Sequence, residues 1–220
     1  MSFETLVTVA FFIGALLPSI VLHELSHGIA ADRMGDGTAR AAGRLTLNPI
    51  AHIDPFGTVI LPGLLLLPRL FGQAGTPVFG YAKPMPVDTR NLRDPDRQMM
   101  WIALVGPLTN LFLAMLGGLG LRLAGGGEAL AAAQGPGLAG FLFVFVFVNV
   151  LLAVFNVLPI PPLDGSKVVA RFLPGRARNV YRSMEQYGAL FLLVIFFLFP
   201  GVIFSIIDPV VSGLLELIVR

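Results

Sequence analysis

Four stretches of this chain are apolar for as long as a helix must be to cross a bilayer, and they fix the solvent in which most of it folds. They run roughly from Phe3 to Ala31, Met99 to Leu121, Leu138 to Leu158 and Tyr187 to Ile207, against a hydrocarbon core that takes about 20 helical residues to span. Hydrophobic residues make up 55% of the sequence and charged ones 13%, where a soluble domain carries about 25% charged residues. Mean hydropathy is +0.82. Backbone polar groups in lipid must be satisfied internally, so the expected fold is an all-α polytopic membrane protein, a helical bundle of about four to six transmembrane segments. A fifth stretch, Phe56 to Phe71, is apolar but short and is interrupted by Pro62-Gly63, which suits a re-entrant segment better than a straight span. The connections Gly35 to Pro55 and Gly72 to Pro95, with "GRLTLNP" and "VFGYAKPMPV", predict short strands or β-hairpin elements. Residues 1–220 read as a single integral membrane domain. The first apolar run lacks a basic leader and a small-residue cleavage site, so it reads as a retained helix.

The net charge is only +2, and the sequence pI near 9.4 comes from arginines gathered in the polar connections. That pattern is membrane topology rather than a nucleic-acid footprint. Cysteine is absent, which excludes disulfides, thiolate metal sites and a cysteine nucleophile. Any metal must be held by nitrogen and oxygen.

Against this background "VLHELSHGIA", residues 21–30, is anomalous. Each ionisable group at the centre of a membrane helix costs about 2.5–3.5 kcal/mol on insertion scales, so such groups mark a functional site by default. Of three histidines in the chain, His23 and His27 stand four apart in this helix. On a helix they lie one turn apart on the same face, where two imidazoles hold one zinc ion. Glu24 is about 100° round from His23, placed to contact water at a metal without ligating it. Zinc would offset the cost of burying these groups. Pro18, in the preceding turn, removes a helical hydrogen bond to Gly14, which predicts either a kink that admits water or an ordinary membrane-helix proline.

A third protein ligand is required, and His52, Asp54, Asp164, Asp208 and Glu185 are the candidates. Asp164 stands in "NVLPIPPLDGSKVV", where an apolar helix ends in prolines, an acid and a glycine before a second helical run. Such a break frees carbonyls and puts the carboxylate at a helix N-terminus, which favours its ionised form. The same pattern also serves as a plain helix stop and cap. His52 lies in a Pro-flanked polar loop and reads as an interfacial, hydrogen-bonded histidine. "TLNPIAHIDP" is expected to shape either an edge strand, to which an extended chain can add, or a wall of the cleft.

"HELSH" in the first helix together with "NVLPIPPLDG" late in the chain resembles the site-2 protease family of intramembrane zinc metalloproteases. "AGRLTLNPIAHIDPFGT", "FGYAKPMPV" and "VGPLTN" resemble further stretches of that family, so the similarity runs from Val21 to Val169. It is to the compact form without PDZ or nucleotide-sensing domains. The resemblance implies that His23, His27 and Asp164 ligate one Zn2+ ion, that Glu24 is the general base, and that Asn156 positions substrate or stabilises an oxyanion. An asparagine in a membrane helix also serves as interhelical glue, and Asn110 in "GPLTN" has the same two readings, packing being favoured. Gly106 is expected to allow close helix approach.

Topology adds a constraint. His23 and Asp164 must lie on one side of the membrane to share a metal, which requires an even number of crossings between them. The segments Met99 to Leu121 and Leu138 to Leu158 supply two, leaving Phe56 to Phe71 re-entrant or a non-spanning hairpin. Arginines and lysines follow the first and third helices and precede the second, while Leu123 to Gly137 has none. The positive-inside rule then places the site toward the cytoplasmic side of a prokaryotic plasma membrane. The function expected is a zinc-dependent endopeptidase acting on a transmembrane protein substrate within the lipid bilayer, with no nucleic-acid partner. The alternatives are a zinc-binding membrane protein without proteolytic activity that binds partner helices, and a metal transporter. An altered Glu24 would favour the first of these and polar groups spread along a path the second; Glu24 is present, and the ionisable groups cluster at one depth.

Overall fold

The computed structural model describes residues 3–55, 57, 82–125, 135–198 and 200–219. The chain is all-α, and among the described residues no strand forms. α1 covers Phe3–Arg33, α2 Thr38–Ala41, α3 Pro95–Leu123, α4 Leu138–Val157, α5 Asp164–Phe172, α6 Gly175–Ser183, α7 Gly188–Leu198 and α8 Pro200–Val219. Three of these, α1, α3 and α4, are long and apolar enough to cross a membrane, matching the first three apolar runs. The fourth run lies in α7 and α8, on either side of residue 199, which is outside the described residues.

Local chemistry sets the helix ends. α3 begins with Asp94, whose carboxylate accepts from the Arg97 N–H at 3.1 Å, followed by Pro95 at the first helical position. Gln98 returns a side-chain oxygen to the Asp94 N–H at 2.9 Å, so the entry turn is capped in both directions. α1 continues through Pro18 as one helix.

The hairpins expected at "GRLTLNP" and the edge expected at "TLNPIAHIDP" give way to bends and a 3-10 turn over Pro49–His52. Asn48 caps that turn by accepting from the Ile50 N–H, and Pro49 has no N–H to offer a ladder. Residues 82–88 take up no regular secondary structure. The stretch Phe56 to Phe71, apart from Gly57, and residues 72–81 lie outside the described residues.

The bundle packs through small residues, as expected where lipid supplies no hydrophobic contrast between helices. Gly117 and Gly118 of α3 lie against Val146 of α4 and Ile218 of α8. Around them Ala114, Leu121, Val146, Val150, Ile207 and Val211 form one buried cluster. A second cluster of Ala30, Ala31, Leu92 and Ile102 locks the end of α1 to α3. Large apolar side chains such as Phe12, Phe112, Met115 and Leu119 are exposed on the outer surface, where lipid would meet them. At the polar end, Arg178 and Arg182 of α6 pair with Asp96 at the start of α3, tying the surface helix to the bundle.

Beyond α1, Asp36 is fully buried and organises the loops beside the site. Its carboxylate accepts from the Thr38 backbone and hydroxyl, from Asn91 Nδ2 at 2.8 Å and from the Asp88 N–H at 2.8 Å. Burial alone would push this carboxyl up; the bonds from Asn91, Thr38 and Asp88 outweigh it and hold it below the ordinary aspartate value. A depressed folded-state value contributes stability that is fully present above about pH 3.9 and is lost as pH falls through the folded value. Asp36→Ala is expected to orphan these donors at about 1–3 kcal/mol each. Amide hydrogen exchange should then speed up at Thr38 and at 88–91; unchanged protection there would contradict this account.

Candidate metal centre

α1 presents His23 and His27 toward the start of α5, where they meet Asp164, 141 and 137 residues further along the chain. His23 Nε2 and His27 Nε2 each lie 3.1 Å from Asp164 Oδ2, and 3.1 Å from each other. The rings stand edge to face at 88°, with centroids 4.6 Å apart. All three side chains are buried. Among the described residues they form the one group of acids and histidines with metal-ligand spacing.

Glycines make this meeting possible. Gly106 of α3 faces both imidazoles so closely that an added Cβ would lie 2.5 Å from His27 Cε1 and 2.6 Å from His23 Cε1, and closer still to His27 Nε2. Gly165 lies on the carbonyls that end α4: a Cβ there would be 2.5 Å from Leu158 O and closer to Val157 O. That approach seats Asp164 at the first turn of α5, the helix N-terminus expected from the sequence.

The donor set fits zinc. A tetrahedral ion bound at about 2.0–2.1 Å holds neighbouring ligand atoms about 3.3 Å apart, close to the 3.1 Å edges of this triangle. The other ring nitrogens point at acceptors, His27 Nδ1 at Ile102 O and His23 Nδ1 at Asn110 Oδ1, both at 2.6 Å. Each Nδ1 therefore donates, and each Nε2 turns its lone pair inward beside a carboxylate oxygen. Three electron-rich atoms converging in a buried space repel one another unless a cation lies among them.

The remaining predicted residues fall around this centre. Glu24 is half-buried and accepts from the Met85 N–H through Oε2 at 2.8 Å. It lines a cleft of about 600 Å³ together with Asn156, Lys167 and the segment at Ala82, Pro84, Met85 and Val87. Asn156 stands outside the triangle and gives one amide hydrogen to Leu152 O at 2.9 Å. His52 is buried on Thr46 O at 2.9 Å and Asp54 accepts from the Gly57 N–H, so each has a local role. Glu185 lines the cleft and Asp208 is exposed; neither joins the triangle.

Three contacts were not legible as such in the sequence. Asn110 accepts from His23 and does not merely pack helices. Met85 holds Glu24. Lys167 reaches Asp164 Oδ1 at 3.2 Å, occupying the oxygen that faces away from the histidines; its spacing of three from Asp164 on a helix was the available signal.

Known proteins carry the same arrangement of sequence. The family model described as "Peptidase family M50" matches residues 124–199. Over 188 residues the chain is 39% identical to "Putative zinc metalloprotease YwhC" of Bacillus subtilis (strain 168), covering 84% of this chain and 80% of that one. Over 202 residues it is 31% identical to "Putative zinc metalloprotease Rip2" of Mycobacterium tuberculosis (strain ATCC 25618 / H37Rv), covering 89% and 72% respectively. No solved structure matches at comparable significance. Similarity along four fifths of a relative's length, on a chain whose histidine helix and proline-broken acid close on one point, decides the matter: this chain belongs to peptidase family M50, the site-2 protease family of intramembrane zinc metalloproteases.

Proposed function

We propose that this protein hydrolyses peptide bonds in or near transmembrane segments of membrane proteins, using one zinc ion held by His23, His27 and Asp164. The observation that carries the reading is the buried triangle of ligand atoms, 3.1 Å on each edge, opening beside Glu24 on an apolar cleft. Zinc bound there supplies a Lewis acid that polarises a carbonyl and lowers the pKa of water. Glu24 takes the proton from the attacking water and returns it to the leaving amine. The Met85 N–H steadies one of its oxygens, and the other remains for the proton. Asn156 has a second amide hydrogen with which to orient a substrate carbonyl or meet its developing charge. The cleft walls exclude bulk water and receive a peptide that has lost its helical hydrogen bonds.

The finer architecture belongs to the same proposal. Residues 1–220 form one membrane domain of four to six crossings. The arginines and lysines at the polar end put the site toward the cytoplasmic side of a prokaryotic plasma membrane.

The test is zinc content and cleavage of a transmembrane substrate in liposomes. The protein is expected to hold one zinc, to lose cleavage on chelation and to regain it when zinc is restored. Asp164→Ala is expected to weaken zinc binding by more than about 100-fold, since outer-shell partners alone are worth about 10–100-fold. Cleavage that survives complete removal of metal would overturn the reading.

A further inference from the structure

Asn110 offers His23 an oxygen, yet its own amide has a nitrogen on the other side, and a flip would present N–H groups to His23 Nδ1 instead. What holds the oxygen in place lies deeper in the bundle, at two residues outside the site just described. Asn149 of α4 and Ser19 of α1 are fully buried, as is Asn110. Asn149 Nδ2 donates to Phe145 O at 2.9 Å and to Ser19 Oγ at 2.8 Å, and Ser19 Oγ donates to Ala15 O at 2.7 Å. Backbone carbonyls only accept, so both ends of this network have a fixed direction. The Asn149 amide must turn its nitrogen to Phe145 and Ser19, which leaves Oδ1 to accept from Asn110 Nδ2 at 3.0 Å. Asn110 Oδ1 is thereby committed to His23, His23 carries its proton on Nδ1, and Nε2 is free for the ion. His27 needs no such chain because Ile102 O fixes it directly.

We propose that Asn149, supported by Ser19, is a positioning residue of the metal centre, setting the tautomer of His23 through the amide of Asn110. The proposal rests on the reading of His23 as a zinc ligand. An isolated membrane asparagine that only joins helices has no need of a fixed polarity; this one joins three helices and has one possible polarity.

The experiment measures zinc affinity of the full chain in detergent by competition with a chromophoric chelator. Asn149→Leu removes the nearer acceptor for Asn110 and leaves it only Ser19 O at 3.5 Å, the limit of a hydrogen bond, so it is expected to weaken zinc by about 10–100-fold. Asn149→Asp keeps it, because a buried, neutral carboxyl donates to Phe145 O and accepts from Asn110 with its other oxygen, so affinity should stay within about threefold of the parent. Ser19→Ala, which leaves Phe145 to fix the amide, should be similarly mild. A role in packing alone predicts the opposite order, with leucine tolerated and aspartate costly. Asn149→Ser, whose hydroxyl still bonds Phe145 O but falls short of Asn110, should behave like leucine and serves if the leucine variant does not fold. Nitrogen NMR of the metal-free protein supplies the direct readout: one His23 tautomer in the parent, a mixture in Asn149→Leu. Parental affinity in both Asn149→Leu and Asn149→Ser, with Asp164→Ala losing zinc, would overturn the relay alone. Parental affinity in Asp164→Ala would overturn the metal site and the relay together.

Discussion

Replacing Glu24 by glutamine is expected to leave zinc bound and to slow cleavage of a transmembrane substrate by about 10²–10⁴-fold, the usual worth of a positioned acid-base group. The substitution is a clean one here. A glutamine oxygen still accepts from the Met85 N–H that holds Oε2 at 2.8 Å, so the segment around Met85 keeps its anchor. The ligand triangle does not include Glu24. What is lost is the ability to take a proton. Initial rates in liposomes, read beside zinc content by mass spectrometry, separate the two functions. A variant that cuts at the parental rate would remove Glu24 from the chemistry, and one that loses zinc would move it into the metal site.

Gly106→Ala is expected to abolish stoichiometric zinc binding, and cleavage with it. In the interior of a helix alanine is favoured over glycine by up to about 1 kcal/mol, so on local grounds the change should help. Its Cβ, however, would stand 2.5 and 2.6 Å from the Cε1 atoms of His27 and His23. Neither ring retreats without breaking its 2.6 Å bond to Ile102 O or Asn110 Oδ1. Affinity should fall by more than about 100-fold, beyond the loss of any single outer-shell partner. Gly120→Ala is the control in the same helix. Its Cβ would meet Leu142 at 3.4 Å and 3.5 Å, near ordinary contact, so zinc and activity should persist. Equal behaviour of the two variants would show that the imidazoles are not held as described.

The parts of this site that sequence revealed are those whose spacing has one structural meaning. Two histidines four apart in an apolar helix share a face whatever surrounds them, and prolines around an acid end a helix in any context. His23, Glu24, His27 and Asp164 were legible for that reason. Asn110, Asn149 and Ser19 were not, because a polar residue that glues helices and one that directs a proton look alike until their partners are known. Gly106 announced close approach, but not that the approach is onto the imidazoles. The three long helices followed from hydropathy almost to their ends. "GRLTLNP" failed as a strand because its alternation is short, and Asn48 and Pro49 offered the backbone a capped turn instead.

The separation of 141 residues between His23 and Asp164, and of 137 between His27 and Asp164, has a consequence for how the protein is made. An ion shared by these groups would act as a removable cross-link between the first helix and the last third of the chain, restricting the unassembled state most where the loop it closes is long. Binding free energy at such a bridge adds to folding free energy. Metal supply would then influence how much correctly assembled protein accumulates in the membrane, before any substrate is met.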